Sequence, residues 1–209
     1  MKPQTPQYLR SRKAPRAGVM SMLLVLFGLG DIPADVHAET LDGHWEVSVP
    51  LYLSASTFYL SSGGTSDSFE TVAASASLDF SSGLSPWSGS VFINHHFSSE
   101  SGVDRMLNLG GSLKYRFGNW DATGFLVRNK LPDKPELWLY GSRLRYRLTR
   151  NQKLGVRAIS SFGHPDASIA MIVYDGTINS TLSVELAVGA NIHASRKRIA
   201  RAELVWQLH

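Results

Sequence analysis

The chain has 209 residues, with 21 lysines and arginines, 17 aspartates and glutamates, and no cysteine. Without cysteine there is no disulfide-stapled domain, thiolate metal site, iron–sulfur cluster or cysteine nucleophile. The length fits one domain after a leader, and no later run reaches the roughly 20 apolar residues that a transmembrane helix needs.

The first segment carries Lys2, Arg10, Arg12, Lys13 and Arg16 and no acid, and a short apolar run from Val19 to Leu29 follows. Val36-His37-Ala38 then places small residues where a signal peptidase reads. This order of basic, apolar and small residues predicts a secretory signal peptide over 1–38, cleaved after Ala38, with an uncleaved anchor as the alternative. The leader holds five of the 21 bases and two of the 17 acids, which leaves 16 against 15 in the mature chain. The basic balance is therefore a property of the leader, and no nucleic-acid partner is expected.

From Glu39 to His209 apolar and polar residues alternate in segments separated by turn-rich gaps, the period of half-buried strands. The first segment runs from His44 to Tyr59, and Ser61 to Ser68 reads as loop. The second sets Val72, Leu78 and Phe80 against Thr71, Ser75, Ser77 and Asp79; the third runs on from Trp87, with Phe92 breaking its pattern. The fourth opposes Leu107, Leu109 and Leu113 to Asn108, Ser112, Lys114 and Arg116, and Gly118-Asn119 is a two-residue hairpin signal. The fifth, Trp120 to Arg128, loses alternation at Gly124-Phe125-Leu126-Val127, which predicts a bulge. The sixth and seventh oppose apolar residues to Arg143, Arg145, Arg147, Lys153 and Arg157. Gly163 to Asp166 reads as a turn, and the eighth segment, Ser168 to Tyr174, ends at Asp175-Gly176. In the eighth, Ile169, Met171 and Val173 form the apolar face. The ninth carries Glu185 and the tenth Arg201 and Glu203 on their polar faces.

Ten strands joined by short turns predict an all-β fold, an antiparallel up-and-down transmembrane β-barrel over 39–209 with both termini at the periplasmic end. Trp45, Phe80, Trp87, Phe97, Phe117, Trp120, Trp138, Phe162 and Trp206 fall at strand ends on the apolar face, as interfacial girdles require. Amphipathic alternation to the last residues lets the final strand close the ring. A soluble periplasmic β-barrel binding module is the rival architecture. The chain end, with Leu204, Trp206 and Leu208 before His209, resembles the C-terminal signal of small bacterial outer-membrane β-barrel proteins, where the last residue is usually aromatic. That resemblance implies export through the inner membrane to the outer membrane. It also implies the barrel assembly machinery, outer-membrane lipids and lipopolysaccharide as partners.

The interior face gathers Glu46, Asp79, Lys114, Arg116, Arg143, Arg145, Arg147, Arg157, Glu185, Arg201 and Glu203. Charged rings set pore preference, so this set could select small anionic solutes such as acidic sugars. Small barrels have lumens about as wide as their side chains, and the balanced charge favours a salt-bridge plug over that selectivity surface. The protein is thus expected to be a narrow channel or a structural or assembly component of the envelope, with envelope proteins as further candidate partners.

His95 and His96 are adjacent, so they point to opposite faces, and His44, His164 and His193 stand apart; no metal site and no cofactor is expected. His193-Ala194-Ser195 with Glu203 downstream resembles the His-x-Ser pair and later Glu of outer-membrane lipid A deacylases, with Arg196 where that family has Asn. The resemblance implies Ser195 as nucleophile, His193 as base and Glu203 as orienting group in a lipid A-modifying hydrolase. The non-enzymatic reading is preferred. The basic group His193, Arg196, Lys197 and Arg198 is a candidate contact for lipopolysaccharide phosphates.

Overall fold

The computed structural model of the protein describes residues 38–41, 45–99, 105–131, 135–193 and 197–208. Residues 1–37, Ser195 and Arg196 lie outside them, as do the cleavage motif's Val36 and His37. Among the described residues all regular structure is strand.

A short hairpin, β1 (Ala38–Leu41) and β2 (Trp45–Ser48), precedes β3 (Leu51–Ser62). Then come β4 (Thr65–Ser81), β5 (Trp87–Ser98), β6 (Arg105–Phe117), β7 (Trp120–Lys130) and β8 (Leu137–Arg147). The chain finishes with β9 (Gln152–Ser161), β10 (His164–Thr177), β11 (Leu182–Asn191) and β12 (Lys197–Leu208). Each strand from β3 onward pairs antiparallel with the next, and β12 pairs with β3 from Lys197↔Ser62 to Leu208↔Leu51. The result is a closed ten-stranded up-and-down barrel, as the alternation predicted. Closure removes both sheet edges, which a lipid environment demands because unpaired backbone groups there find no water.

Several local expectations are corrected. The first segment is split: Pro50 lacks an N–H for the ladder, and β2 and β3 lie on either side of Val49-Pro50, both pairing with β4. The supposed loop at Ser61–Ser68 is strand on both sides of a two-residue turn. Gly63 (φ 61°) and Gly64 (φ 94°) supply the two positive angles that such a turn requires. No bulge interrupts β7, whose register with β6 and β8 is continuous. The irregularity falls instead in β10, between His164 and Ile169, and only Phe162-Gly163 remains as turn. β10 also runs past Asp175-Gly176 to Thr177.

The broken alternation in β5 and β7 has a packing cause. Phe92 and Phe125 face the lumen and lie over glycines of the neighbouring strand. A Cβ built on Gly110 would stand 2.6 Å from the Phe92 ring, and one on Gly141 would overlap the Phe125 ring and the Ala158 carbonyl. Gly141→Ala is expected to cost about 1–3 kcal/mol, the usual range for overpacking. Gly124→Ala, with nothing within 4 Å of its Cβ position, is expected to be close to neutral. Urea midpoints of the two variants check the contrast.

The exterior is apolar and banded. Near the end that carries the C-terminus, Trp45 lies 6.4 Å from Phe80, Trp87 4.6 Å from Tyr115, and Trp120 4.9 Å from Tyr146. Near the far end, Tyr140 lies 4.6 Å from Phe162 and His95 4.4 Å from Phe97. Between the belts Leu109, Leu126, Leu144, Val156, Ile172 and Val188 project outward. This is the surface of a membrane-spanning barrel: an apolar band between aromatic girdles. A shallow exterior concavity of about 1410 Å³ lies over this band. Gly124, Ser142, Ala158, Ala170 and Ala190 stand in register along it.

One apolar cluster is inside. Met171, Val173 (0% exposed) and Ala187 pack with Ile159, Ile169 and Ile199 on the lumen side of β9–β12. The apolar face expected for the eighth segment therefore points inward, and Ile172 faces out. With ten strands the lumen is narrow enough for side chains to fill that sector.

Candidate functional site

The lumen has two unlike walls. Along β6–β12 runs one connected set of ion pairs. Asp121 (3% exposed) accepts from Lys153 Nζ at 2.7 Å and from Arg116 Nε at 3.4 Å, with Arg145 at 3.8 Å. Arg145 also reaches Asp175 at 3.7 Å, and Arg143 donates to Asp175 at 3.0 Å. Arg143 continues to Glu185, three strands away along the same wall. Arg157 holds Glu185 with both terminal nitrogens, at 2.9 and 2.6 Å, and Arg201 approaches it at 3.5 Å. Arg201 also pairs with Glu203, which accepts from Ser56 Oγ at 3.4 Å, and its guanidinium lies 5.3 Å over the Phe58 ring. Buried charges are tolerated only when paired in this way.

The network joins six cations, Arg116, Arg143, Arg145, Lys153, Arg157 and Arg201, to four carboxylates, Asp121, Asp175, Glu185 and Glu203. Of the residues expected from sequence, Arg116, Arg143, Arg145, Arg157, Glu185, Arg201 and Glu203 come together here. Lys114 and Asp79 share a lumen cavity beside it. Arg147 faces inward at the end of β8 with no partner among the described residues. Glu46 is exposed on β2, opposite Ser81 at the end of β4, and stands apart from this network.

Two acids that hold the network, Asp121 and Asp175, were not anticipated. The hairpin at Gly118-Asn119 carries the signal for the first. A two-residue turn makes Phe117 and Trp120 a pair, which sets Asp121 opposite Arg116. Asp175 has no such signal, since Asp-Gly reads as a turn.

The opposite wall, β3–β6, is lined by hydroxyls and amides and leaves space. A cavity of about 600 Å³ opens toward the end that carries the C-terminus, between Ser48, Asp79, Ser88, Ser90, Ser112, Lys114, Arg116, Thr123, Arg143 and Arg145. A second, of about 360 Å³, lies between Tyr52, Ser54, Ser75, Ser77, Asn94 and Glu203. Asp79 and Ser90 belong to both, so the two adjoin. The salt bridges therefore pack one side of the lumen, and the plug expected from the charge balance is incomplete. Asn94, Asn108 and Asn129 form an in-register carboxamide row on β5–β7, with Asn108 and Asn129 buried.

The described members of the hydrolase pattern are not brought together. His193 is exposed at the far rim, where its backbone N–H donates to Asn191 Oδ1 at 2.9 Å. Glu203 is inside β12, paired with Arg201. His95 lies outside with its ring tilted against Phe97, while His96 lies on the lumen side, where its Nε2 has no partner among the described residues. Among the described residues no group of three or more potential ligands could hold a metal. On the far rim, Arg128 hydrogen-bonds Glu136 at 2.8 Å from Nε and holds that carboxyl below its ordinary value.

No protein-family model matches the chain, and no curated protein matches it. Among solved structures, the chain is similar to the KdgM porin in complex with disordered oligogalacturonate, at 10% identity and a TM-score of 0.47, over 77% of this chain and 99% of that one. It is similar to the NanC porin at 8% identity and a TM-score of 0.47, over 75% and 100%. It is also similar to an outer membrane channel from Pseudomonas putida F1 at 13% identity and a TM-score of 0.35, over 85% and 100%. Identities and scores this low carry no solute or site residue across to this chain.

Proposed function

We propose that the protein is a narrow outer-membrane channel that prefers small anionic solutes. The observation that carries this is the open, hydroxyl-lined side of the lumen. Its larger cavity has Lys114, Arg116, Arg143 and Arg145 in its wall against a single carboxylate, Asp79. Charge fixed around a narrow low-dielectric passage sets the sign of the ion that enters. The same reading has residues 1–38 removed on export and the mature chain inserted by the barrel assembly machinery. It also sets Lys197 and Arg198 at the rim among lipopolysaccharide phosphates.

Planar bilayers test the proposal. The folded protein in a potassium chloride gradient is expected to give discrete conductance with a reversal potential on the chloride side. A silent bilayer, or a preference for potassium, would overturn it. Faster migration of the unboiled protein in detergent gels checks that the material tested is folded barrel.

A further inference from the structure

We infer that the larger lumen cavity is a discrete, saturable binding site for a tetrahedral oxyanion, either free phosphate or the phosphoryl group of a small solute. The inference rests on the channel reading above but goes past it, because a charged lumen alone needs no site. Ser88, Lys114, Thr123 and Arg143 stand in one cross-strand register row on β5, β6, β7 and β8. All four line the cavity, as does Arg145. In the adjacent row Ser90 and Ser112 share a hydrogen bond of 2.9 Å, so that hydroxyl pair is already partly spent on itself.

Several donors of the cavity wall are not spent. Thr123 Oγ1, Arg143 Nε and Arg145 Nε are buried and have no hydrogen-bond partner. Lys114 has no carboxylate partner among the described residues, although it is half-buried in the strand. Each orphaned buried donor costs about 1–3 kcal/mol, and native proteins keep such groups rare. Three on the residues of one cavity wall, beside the ammonium of Lys114, point to a missing acceptor. One terminal nitrogen of Arg143 is already held by Asp175 and Glu185, and the terminal nitrogens of Arg145 lie 3.7 Å from Asp175 and 3.8 Å from Asp121, which draws both side chains toward those acids. A ligand would therefore meet donors that the neighbouring acids have already partly oriented, and such preorganisation favours binding.

The chemistry of the array selects the ligand. Two guanidinium groups, an ammonium and a hydroxyl on three neighbouring strands supply donors in several directions. A tetrahedral oxyanion offers acceptors in several directions too and carries up to two charges, whereas a monocarboxylate is planar with one charge. Asp79 on the far wall is the one carboxylate in the cavity lining. It disfavours binding, but the four cations outnumber it.

The test is chloride current through the folded barrel with inorganic phosphate, glucose 6-phosphate or acetate added. Phosphate is expected to reduce the current to a plateau. Lys114→Gln and Thr123→Val should each raise the half-blocking concentration about tenfold, and Arg128→Gln on the outer rim should not change it. Tighter block by glucose 6-phosphate assigns the site to phosphorylated solutes, and equal or weaker block assigns it to free phosphate. Block without a plateau, block unchanged in both cavity variants, or acetate as effective as phosphate would overturn the inference. If the bilayer is silent, calorimetry of phosphate with the detergent-folded protein separates the two proposals. Saturable heat that Lys114→Gln abolishes keeps the site without the channel, and no heat removes both.

Discussion

Glu185→Gln is expected to destabilise the barrel by about 3–5 kcal/mol, the cost of breaking a buried ion pair by removing one partner. Glu185 is 9% exposed, and Arg143, Arg157 and Arg201 all converge on its two oxygens. Glutamine keeps the volume but offers one acceptor and no charge, so guanidinium groups are left without compensation in a narrow lumen. Asp175 can relieve Arg143, and Glu203 can relieve Arg201, because each already contacts that arginine. Arg157 has only Glu185 among the described acids. The double variant Glu185→Gln, Arg157→Gln should therefore recover a large part of the loss, since residues in one network are not additive. Urea titration of the folded band in unheated gels measures both. A single-variant loss below about 1 kcal/mol would class the pair with exposed ion pairs and mean that water fills the lumen around it.

Much of this network was legible in the sequence, because a strand's period of two sorts residues onto faces without knowledge of the fold. Arg143, Arg145, Arg157, Glu185, Arg201 and Glu203 alternate cleanly with outward apolar residues, and all six face the lumen. Alternation fails where the inside of the barrel is itself apolar. Met171 and Val173 look like a lipid-facing stripe, yet they fill the lumen of the strands beside Ile159 and Ile199. Phe125 looks like a face switch, yet it covers Gly141 on the next strand. Both cases depend on which residues sit across the ladder, and a single strand's pattern holds no such information. The open cavity was invisible for a related reason. Lys114, Thr123 and Arg143 lie apart in the chain and become one row only through the register of two hairpins. Charge balance over the whole interior suggested a plug, but the acids cluster on β7 and β10–β12 and leave the β4–β6 side open.

Ile172→Arg is expected to destabilise the folded barrel by about 2–4 kcal/mol in a bilayer, the cost of an arginine at the lipid-facing midplane of a transmembrane barrel. Ile172 is 57% exposed and lies between Val156 and Val188 in the band that the aromatic belts enclose. On a protein surrounded by water, a substitution at a residue this open stays within about 0.5 kcal/mol. The difference between those values measures the solvent of the outer face directly. Equilibrium folding into lipid vesicles, followed by tryptophan emission, gives the bilayer figure. Placing arginine at Phe162, in the far belt, should cost about 0–1 kcal/mol, because the penalty falls toward the interface. A depth-dependent pair of losses fixes both the spanning direction and the position of the belts. Equal, negligible losses at the two sites would put water around Ile172, and an outer face in water leaves no membrane for a lumen to cross.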